Sequence, residues 1–466
     1  MDLNRYRFYV CGLTVYGPGH VGNFRTMILN DVLRRVLEVA GLNPYYVRNI
    51  TDVDDKTIVN SIKEGLTLKA FTQKWTAKFH EDCERLNLIV PDVEPKATEH
   101  LKEQIDLIET LIAKGNAYVG ADGSVYYKVR SFSDYGKLAH FKIDELQTQD
   151  TNSAGQQNLS DEYSRESAAD FALWKARKPE DGDNFWEGPQ DPATGKRLPG
   201  RPGWHIECSA MSMRYLGETF DLHGGGEDLC FPHHENEIAQ SEAATGKPLA
   251  NHWMHCVHLL VDGKKMSKSL GNFFTLDDLV AQGHDVMAVR YLLVSAHYRQ
   301  HLNLTQHGLG ASQSALQKLE KQVEVWLKVA NMSVETFQNL NPLTEDRFHE
   351  ASVFRPVLDF LLDDLNTPAA LGALFSAMKE ISTEPKVLTK ELQCFATILY
   401  ALGIKLFTAV QPEKIEAPDF VREKAQARWE AKQKRDWALS DLLRNEVTAA
   451  GWRIHDRKDG FDLEPI

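Results

Sequence analysis

The stretch Arg5–Asn23, RYRFYVCGLTVYGPGHVGN, together with the run that follows it to Ile50, decides the fold. Arg5 to Cys11 is apolar and aromatic enough for a strand. It ends at Cys11-Gly12, and Gly17, Pro18 and Gly19 form a loop. A helix is expected from about Val21 to Ala40, with Ile28, Leu29, Val32, Val36 and Leu37 on one side and Gly41 as its stop. Tyr45 to Ile50 reads as a second strand. Strand, glycine-containing loop, helix, strand is the unit of a parallel sheet, and the helix start beyond His20 suits a phosphate. The chain is therefore expected to be α/β.

A second stretch concentrates the chemistry. Gly203 to Gly246 reads GWHIECSAM, then FDLHGGGEDLCFPHHENEIAQSEAATG. Pro232 is expected at the first position of a helix that runs through Ala244 and stops near Gly246. His233 and Glu237 then project from one face. An imidazole and a carboxylate make half of a tetrahedral zinc site, and Cys208 is a candidate thiolate to complete it. The alternative is a solvated helix start whose acids favour the dipole. Gly224, Gly225 and Gly226 allow a backbone to approach a ligand closely.

Outward from these two stretches the chain is less specific. Thr51-Asp52-Val53-Asp54-Asp55-Lys56 opens a helix, where Asp54 and Asp55 suit capping and dipole pairing better than a metal. Helical patterns continue through Lys114. Ala117 to Phe141 changes to short strands and turns, and Lys142 to Ala168 is polar without apolar period, as in a long exposed loop. His252 to Leu260 is expected as one strand. After a turn at Val261-Asp262-Gly263, Lys264, Lys265 and Lys268 are expected in a mobile basic loop or an exposed polar turn. Beyond Thr305 the chain is expected to be almost wholly helical, with helices from Asp363 through Ile381 and from Glu391 to Phe407. A linker is expected at Gln411 to Pro418. A long helix or hairpin over 420–447 carries a basic face, although solvated helices often look like this.

Bulk composition sets limits. Of the 466 residues 42% are hydrophobic and 26% charged, as in soluble globular proteins, and the length suggests two to four domains. No apolar run approaches a membrane span, so a cytoplasmic protein without a membrane partner is expected. The six cysteines are scattered without paired spacing, which favours free thiols or metal ligands in a reducing compartment. The net charge of −13 opposes gross non-specific binding to nucleic acid, leaving room for a local basic patch.

Three passages together carry a family resemblance. Cys11-Gly12-Leu13-Thr14-Val15-Tyr16 with His20-Val21-Gly22-Asn23 resembles the first signature of class I aminoacyl-tRNA synthetases, and Lys265-Met266-Ser267-Lys268-Ser269 matches the second. GWHIECSAM and FPHHENEIAQS resemble the cysteinyl branch of that family and its close relatives. The likeness extends from Tyr9 to about Asp456. It implies a Rossmann-like parallel-sheet catalytic domain with an inserted subdomain, then an all-helical domain and a small C-terminal anticodon-binding domain. The implied bounds are 1–116 and 201–255 for the two halves of the catalytic domain and 117–200 for the insert. A stem-contact region follows at 256–310, a helical bundle at 311–410 and the anticodon-binding domain at 418–466. The chain begins later than the family pattern by roughly a strand and a turn.

The resemblance also implies sites. One zinc ion would be held by Cys11, Cys208, His233 and Glu237. Cys83, Cys230, Cys256 and Cys394 match no ligand position and are expected as small buried hydrophobes. Cys11, Thr51, Trp204 and His223 would line the cysteine pocket, although a helix cap, a core aromatic and a packed histidine are the plain alternatives for the last three. ATP, with Mg2+, would lie over Gly12, Thr14, His20, Gly22, Asn23 and Lys268. His20, Asn23, Lys265 and Lys268 would act in catalysis, with Asn23 in place of the signature's second histidine. Trp437, Asp441, Arg444 and Asp456 would read the anticodon, or else Trp437 centres a small core.

The implied activity is ATP-dependent activation of L-cysteine to cysteinyl-adenylate and transfer to tRNA(Cys) by a monomer. Zinc separates cysteine from serine where a hydrophobic pocket cannot, because thiolate is a good ligand and a neutral hydroxyl a poor one. The alternatives are a relative that passes the same adenylate to an amino sugar, and an inactive zinc-containing tRNA-binding homologue.

Overall fold

The computed structural model describes residues 5–141, 170–266, 271–407, 418–434, 436–450, 452–457 and 460–465. The expectations for Lys142 to Ala168, for Lys268 and its neighbours Ser267 and Ser269, and for most of the 411–418 linker lie outside them. The chain divides into two compact units, Met1–Leu406 and Phe407–Ile466.

The first unit is built on a parallel sheet. β1 (Tyr6–Thr14), α1 (Val21–Val39) and β2 (Pro44–Thr51) follow the expected order. β1 has fully buried Phe8, Tyr9 and Val10, as a strand covered on both faces requires. After β2 come α2 (Asp55–Lys63), α3 (Leu68–Arg85) and α4 (Leu101–Ala113). Asp54 caps α2 by accepting from the Lys56 N–H, as expected. An antiparallel five-stranded sheet follows: β3 (Ala117–Val119), β4 (Val125–Tyr127), β5 (Phe171–Ala176), β6 (Trp186–Gln190) and β7 (Arg197–Pro202), in spatial order β3-β4-β5-β7-β6. The chain then returns through α5 (Trp204–Leu216), β8 (Phe220–Gly226), α6 (Glu235–Thr245) and β9 (Ala250–Cys256). The parallel sheet is completed in the order β2-β1-β8-β9.

Beyond the sheet lie β10 (Leu259–Val261), β11 (Lys264–Lys265), α7 (Leu276–Ala281), α8 (Val286–Val294) and β12 (Leu302–Leu304). Helices α9 (Gln306–Ala330), α10 (Val334–Gln338), α11 (Arg355–Leu362), α12 (Thr367–Ala377) and α13 (Pro385–Leu402) complete the unit. The second unit is a helical hairpin, α14 (Asp419–Gln433) and α15 (Trp437–Ala449), with a β-hairpin, β13 (Trp452–Arg457) and β14 (Gly460–Pro465).

Several sequence expectations are corrected. The strand expected over His252 to Leu260 breaks at Val257-His258, because those backbone carbonyls turn to Arg25 instead of a neighbouring strand. Lys264 and Lys265 belong to a strand: Asp262 and Gly263 take φ of 47° and 74°, the left-handed pair that closes a two-residue hairpin. Pro232 sits in an irregular turn at 230–234 with a non-helical Phe231, so the helix starts three residues later than expected. Gly246 does end it, at φ 74°. The helix expected from Asp363 starts at Thr367 under an Asn366 cap, since Asp364 and Leu365 take positive φ. That expected from Glu391 runs Pro385–Leu402 and ends on left-handed Gly403. The last β-hairpin was not anticipated. Cys230 is only half-buried, whereas Cys83, Cys256 and Cys394 are buried as expected.

One buried ion cluster ties the first unit together. Arg290 on α8 is fully buried and pairs with Asp31 on α1 at 2.5 Å. Its other N–H groups reach the carbonyls of Leu402 and Leu86. Arg35 pairs with the same Asp31 oxygen at 2.8 Å, and the other oxygen accepts from the Ile89 N–H. Gly403 is required here, since a Cβ would stand 1.8 Å from an Arg290 nitrogen. Burial disfavours the Asp31 anion, but Arg290 and Arg35 outweigh it and hold its carboxyl below the ordinary carboxylate range. A group so depressed contributes stability above its unfolded pKa and loses it as pH falls. Asp31→Asn should therefore lower unfolding stability by about 3 kcal/mol at neutral pH and flatten the decline below roughly pH 4. Urea unfolding from pH 3 to 7 measures both.

Candidate active site

A bulge in β1 starts the site. Val10 pairs with Arg48 and Leu13 with Ile50, so Cys11 and Gly12 together face the single residue Asn49. A Cβ on Gly12 would stand 1.6 Å from the Asn49 carbonyl oxygen, which only glycine avoids. Gly12 instead donates its N–H to Asn49 Oδ1 at 2.8 Å. The bulge leaves the Cys11 thiol beside Cys208 of α5, 3.9 Å away.

His233, from the turn before α6, and Glu237, from its first turn, join the two thiols. One ligand atom from each of Cys11, Cys208, His233 and Glu237 lies within 4.8 Å of the others. All four side chains are buried, so the solvated-helix alternative fails. His233 Nε2 is 3.1 Å from Glu237 Oε1, and no hydrogen bond closes on that nitrogen. A buried imidazole nitrogen left open beside two thiols and a carboxylate fits a zinc ion.

The charges agree. A hydrogen bond from Cys11 leads in drawing the Cys208 thiol down to about 6, against burial. Burial would lower His233, but Glu237 and Cys208 push it up to about 10. Burial, then Cys208 and Glu237, hold Cys11 well above its usual value. Without a cation the set keeps protons on His233 and Cys11, and metal uptake releases them.

Cys11, His223, His234 and Glu237 form a second cluster with ligand atoms equally close. Its members already contact one another, with His234 Nε2 3.5 Å from Cys11 Sγ, and of its histidine nitrogens only His234 Nδ1 reaches a described residue outside the cluster. His223 Nε2 meets Glu237 Oε2 at 3.0 Å, and His234 Nδ1 meets His255 Nε2 at 2.9 Å. The set with two thiols is the softer and suits zinc better. His223 then orients Glu237, and His205 orients His233 through a 2.9 Å contact between their Nδ1 atoms. The glycines expected to admit a ligand partly serve this packing: a Cβ on Gly225 would stand 2.8 Å from the His234 ring. Sequence reasoning missed His205, His234, His255 and Asn49 as parts of the site. The adjacency of His205 to the Cys208 passage and of His234 to His233 was the available signal.

A cleft of about 410 Å3 opens beside this set. Cys11, Gly12, Thr14, His20, Gly22, Asn23, Trp204 and Lys265 border it. Trp204 lies 4.2 Å from the His233 ring. Thr51 and His223 do not border it. Thr51 is buried, donating to Glu207 at 3.0 Å and accepting from Asn49 at 3.2 Å. His20 caps α1: its Nδ1 accepts from the Asn23 N–H, and Asn23 Oδ1 accepts from the His20 N–H. The neutral ring must then carry its proton on Nε2. In the second unit, Trp437, Asp441 and Arg444 are exposed and spaced to share one face of α15. Asp456 falls in β13.

Residues 1–314 match the family described as tRNA synthetases class I (C) catalytic domain, and residues 357–406 match the DALR domain. The chain is 51% identical over 462 residues to a cysteine–tRNA ligase of Opitutus terrae, with 99% of this chain and 94% of that one covered. It is 40% identical over 471 residues to the cysteine–tRNA ligase of Chlamydia pneumoniae, at the same coverage. Among solved structures, methionyl-tRNA synthetase of Mycobacterium tuberculosis with methionyl-adenylate superposes with a TM-score of 0.58 at 15% identity, over 86% of this chain and 90% of that one. At such identity the likeness shows the fold alone.

Cys208→Ser should abolish retention of zinc through dialysis. His223→Ala, which removes a group behind the donors, should weaken zinc binding by about tenfold to a hundredfold. Competition with a chromophoric chelator reads both.

Proposed function

The chain belongs to the class I aminoacyl-tRNA synthetases, within the cysteine–tRNA ligase family, and from that membership we propose how its residues divide the work. It is a ligase that takes L-cysteine, ATP and tRNA as substrates. The reading is carried by the buried Cys11, Cys208, His233 and Glu237 beside the cleft at the start of α1. Zinc held by those four supplies a ligand position that accepts thiolate sulfur and discriminates against serine's neutral hydroxyl.

Cys11, Gly12 and Trp204 border the end of the cleft nearest that set and receive the amino acid there. ATP, with Mg2+, lies across the start of α1, where backbone N–H groups and the helix dipole favour phosphate. His20 offers Nε2–H to the phosphate oxygens. Asn23 has its oxygen on the His20 N–H, which leaves its NH2 group as the donor. Capping α1 is thus a task an amide performs as well as a histidine. The cysteine carboxylate attacks the α-phosphorus and pyrophosphate leaves. Lys265, which also borders the cleft, and Lys268 stabilise the charge that develops. The cysteinyl group then passes from the adenylate to the terminal adenosine of tRNA. The protein supplies position and electrostatics, without a covalent nucleophile.

tRNA is favoured over an amino sugar as acceptor. The relatives' near-complete coverage includes the segment after Pro418, which an amino-sugar ligase would have little use for. There, Trp437 stacks on an unpaired anticodon base, while Asp441, Arg444 and Asp456 meet base edges. The chain works as a monomer in the cytoplasm. No helix among the described residues is long and apolar enough to cross a membrane.

ATP–pyrophosphate exchange should depend on cysteine, fail with serine, and fall at least about tenfold when zinc is chelated. Exchange that ignores the chelator would overturn the metal's role. Trp437→Ala should lower tRNA cysteinylation by about tenfold, in line with the loss of one stacked base, and leave exchange unchanged. Equal loss in both assays would make the second unit a structural element only.

A further inference from the structure

Arg25 lies one turn into α1 and is buried, and it has no place in the chemistry above. Its guanidinium donates to four backbone carbonyls: Val257 at 2.6 Å, His258 at 2.8 Å, His297 at 3.3 Å and Gln300 at 2.5 Å. The first two sit at the break between β9 and β10. The other two precede β12, which pairs with β10. Val257 and His258 also border the nucleotide cleft. Glu227 closes the same corner by accepting from the His258 N–H at 2.9 Å. From this corner β10 runs into the tight hairpin whose return strand carries Lys265 to the cleft wall. The start of α1, with His20, Gly22 and Asn23, forms another wall of the cleft, on the helix that bears Arg25.

Arg25 therefore ties the β10 side of the cleft to α1, alongside the backbone bond from the Val21 N–H to the Phe274 carbonyl at 3.0 Å. The planar fork suits this task, because it satisfies carbonyls on two segments at once. A lysine offers a point charge in its place, and a glutamine amide serves fewer acceptors, leaving others buried and unpaired.

We propose that Arg25 is a positioning residue for adenylate formation: by bracketing 257–258 and 297–300 against α1, it sets where Lys265 stands relative to His20. This rests on the reading of Lys265 as a group that stabilises charge on departing pyrophosphate. The bracket acts on the distance between two walls, so its loss lowers turnover without loosening cysteine, whose site is built from β1, α5 and α6. A lysine, which keeps the charge and some of the bonds, should restore part of the rate.

The test is a double-mutant cycle in cysteine-dependent ATP–pyrophosphate exchange, with Arg25→Gln, Lys265→Ala and the double variant. Wild-type exchange and the loss caused by Lys265→Ala alone check the underlying reading separately. Arg25→Gln should lower exchange turnover by about tenfold or more in the wild-type background but by less than about threefold once Lys265 is absent. The cysteine KM should stay within about twofold, and zinc content should match the wild type. Arg25→Lys should recover a measurable part of the loss. Equal factors in the two backgrounds, or a turnover loss matched by a rise in the cysteine KM, would overturn the proposal. An unaffected Lys265→Ala enzyme would overturn it too. If Arg25→Gln does not fold, Arg25→Lys carries the same cycle with the same criterion.

Discussion

Enclosing two thiols, an imidazole and a carboxylate within 4.8 Å, away from water, is the constraint on which this structure turns. Like charges in so small a buried space repel, and each loses its hydration. The protein meets this with hydrogen bonds from outside the set. His223 takes one oxygen of Glu237, and His205 takes the outer nitrogen of His233. The surrounding packing needs room as well: Gly12 lets the Asn49 backbone, and Gly225 the His234 ring, come close by lacking a Cβ. The bulge in β1, the glycines of β8 and the irregular turn before α6 are separate answers to one packing problem.

The same economy governs the walls of the cleft. Helix α1 delivers His20 and Asn23 at its N-terminus, Arg25 to the corner of β10, and Asp31 and Arg35 to the buried cluster with Arg290. One helix thus links the cleft to the helical layers behind it. This is why Asp31 bears on stability although it lies remote from the chemistry. It pairs with two guanidinium groups that would otherwise be buried without a counter-charge.

Legibility followed the range of the interactions. Periodicity and stop residues were enough to place β1, α1 and β2, and Gly246 as the end of α6, because these depend on neighbours within a turn or a strand. The expectation failed at Pro232, where the chain bends to bring His233 inward, and at Val257-His258, where carbonyls turn to Arg25. It failed at Asp364 and Leu365 as well, both at positive φ. Each departure is a place where a distant partner outweighs local preference. The closing β-hairpin is different: its two-residue alternation over Trp452–Arg457 is itself a strand signal, which the almost wholly helical expectation beyond Thr305 does not include.

The sequence by itself determined the α/β class, the ligand types and the signatures that mark the family, since these reside in residue identity and short spacing. Only the tertiary structure decided that Cys11 and Cys208, 197 positions apart, stand 3.9 Å from each other. It alone showed that His223 stands behind Glu237 instead of lining the cleft, and that Asn23 is occupied in capping α1. Residue chemistry is local and can be read in order along a chain. Which groups share a buried space depends on strand order and on a bulge, and these are settled by packing the whole sheet at once.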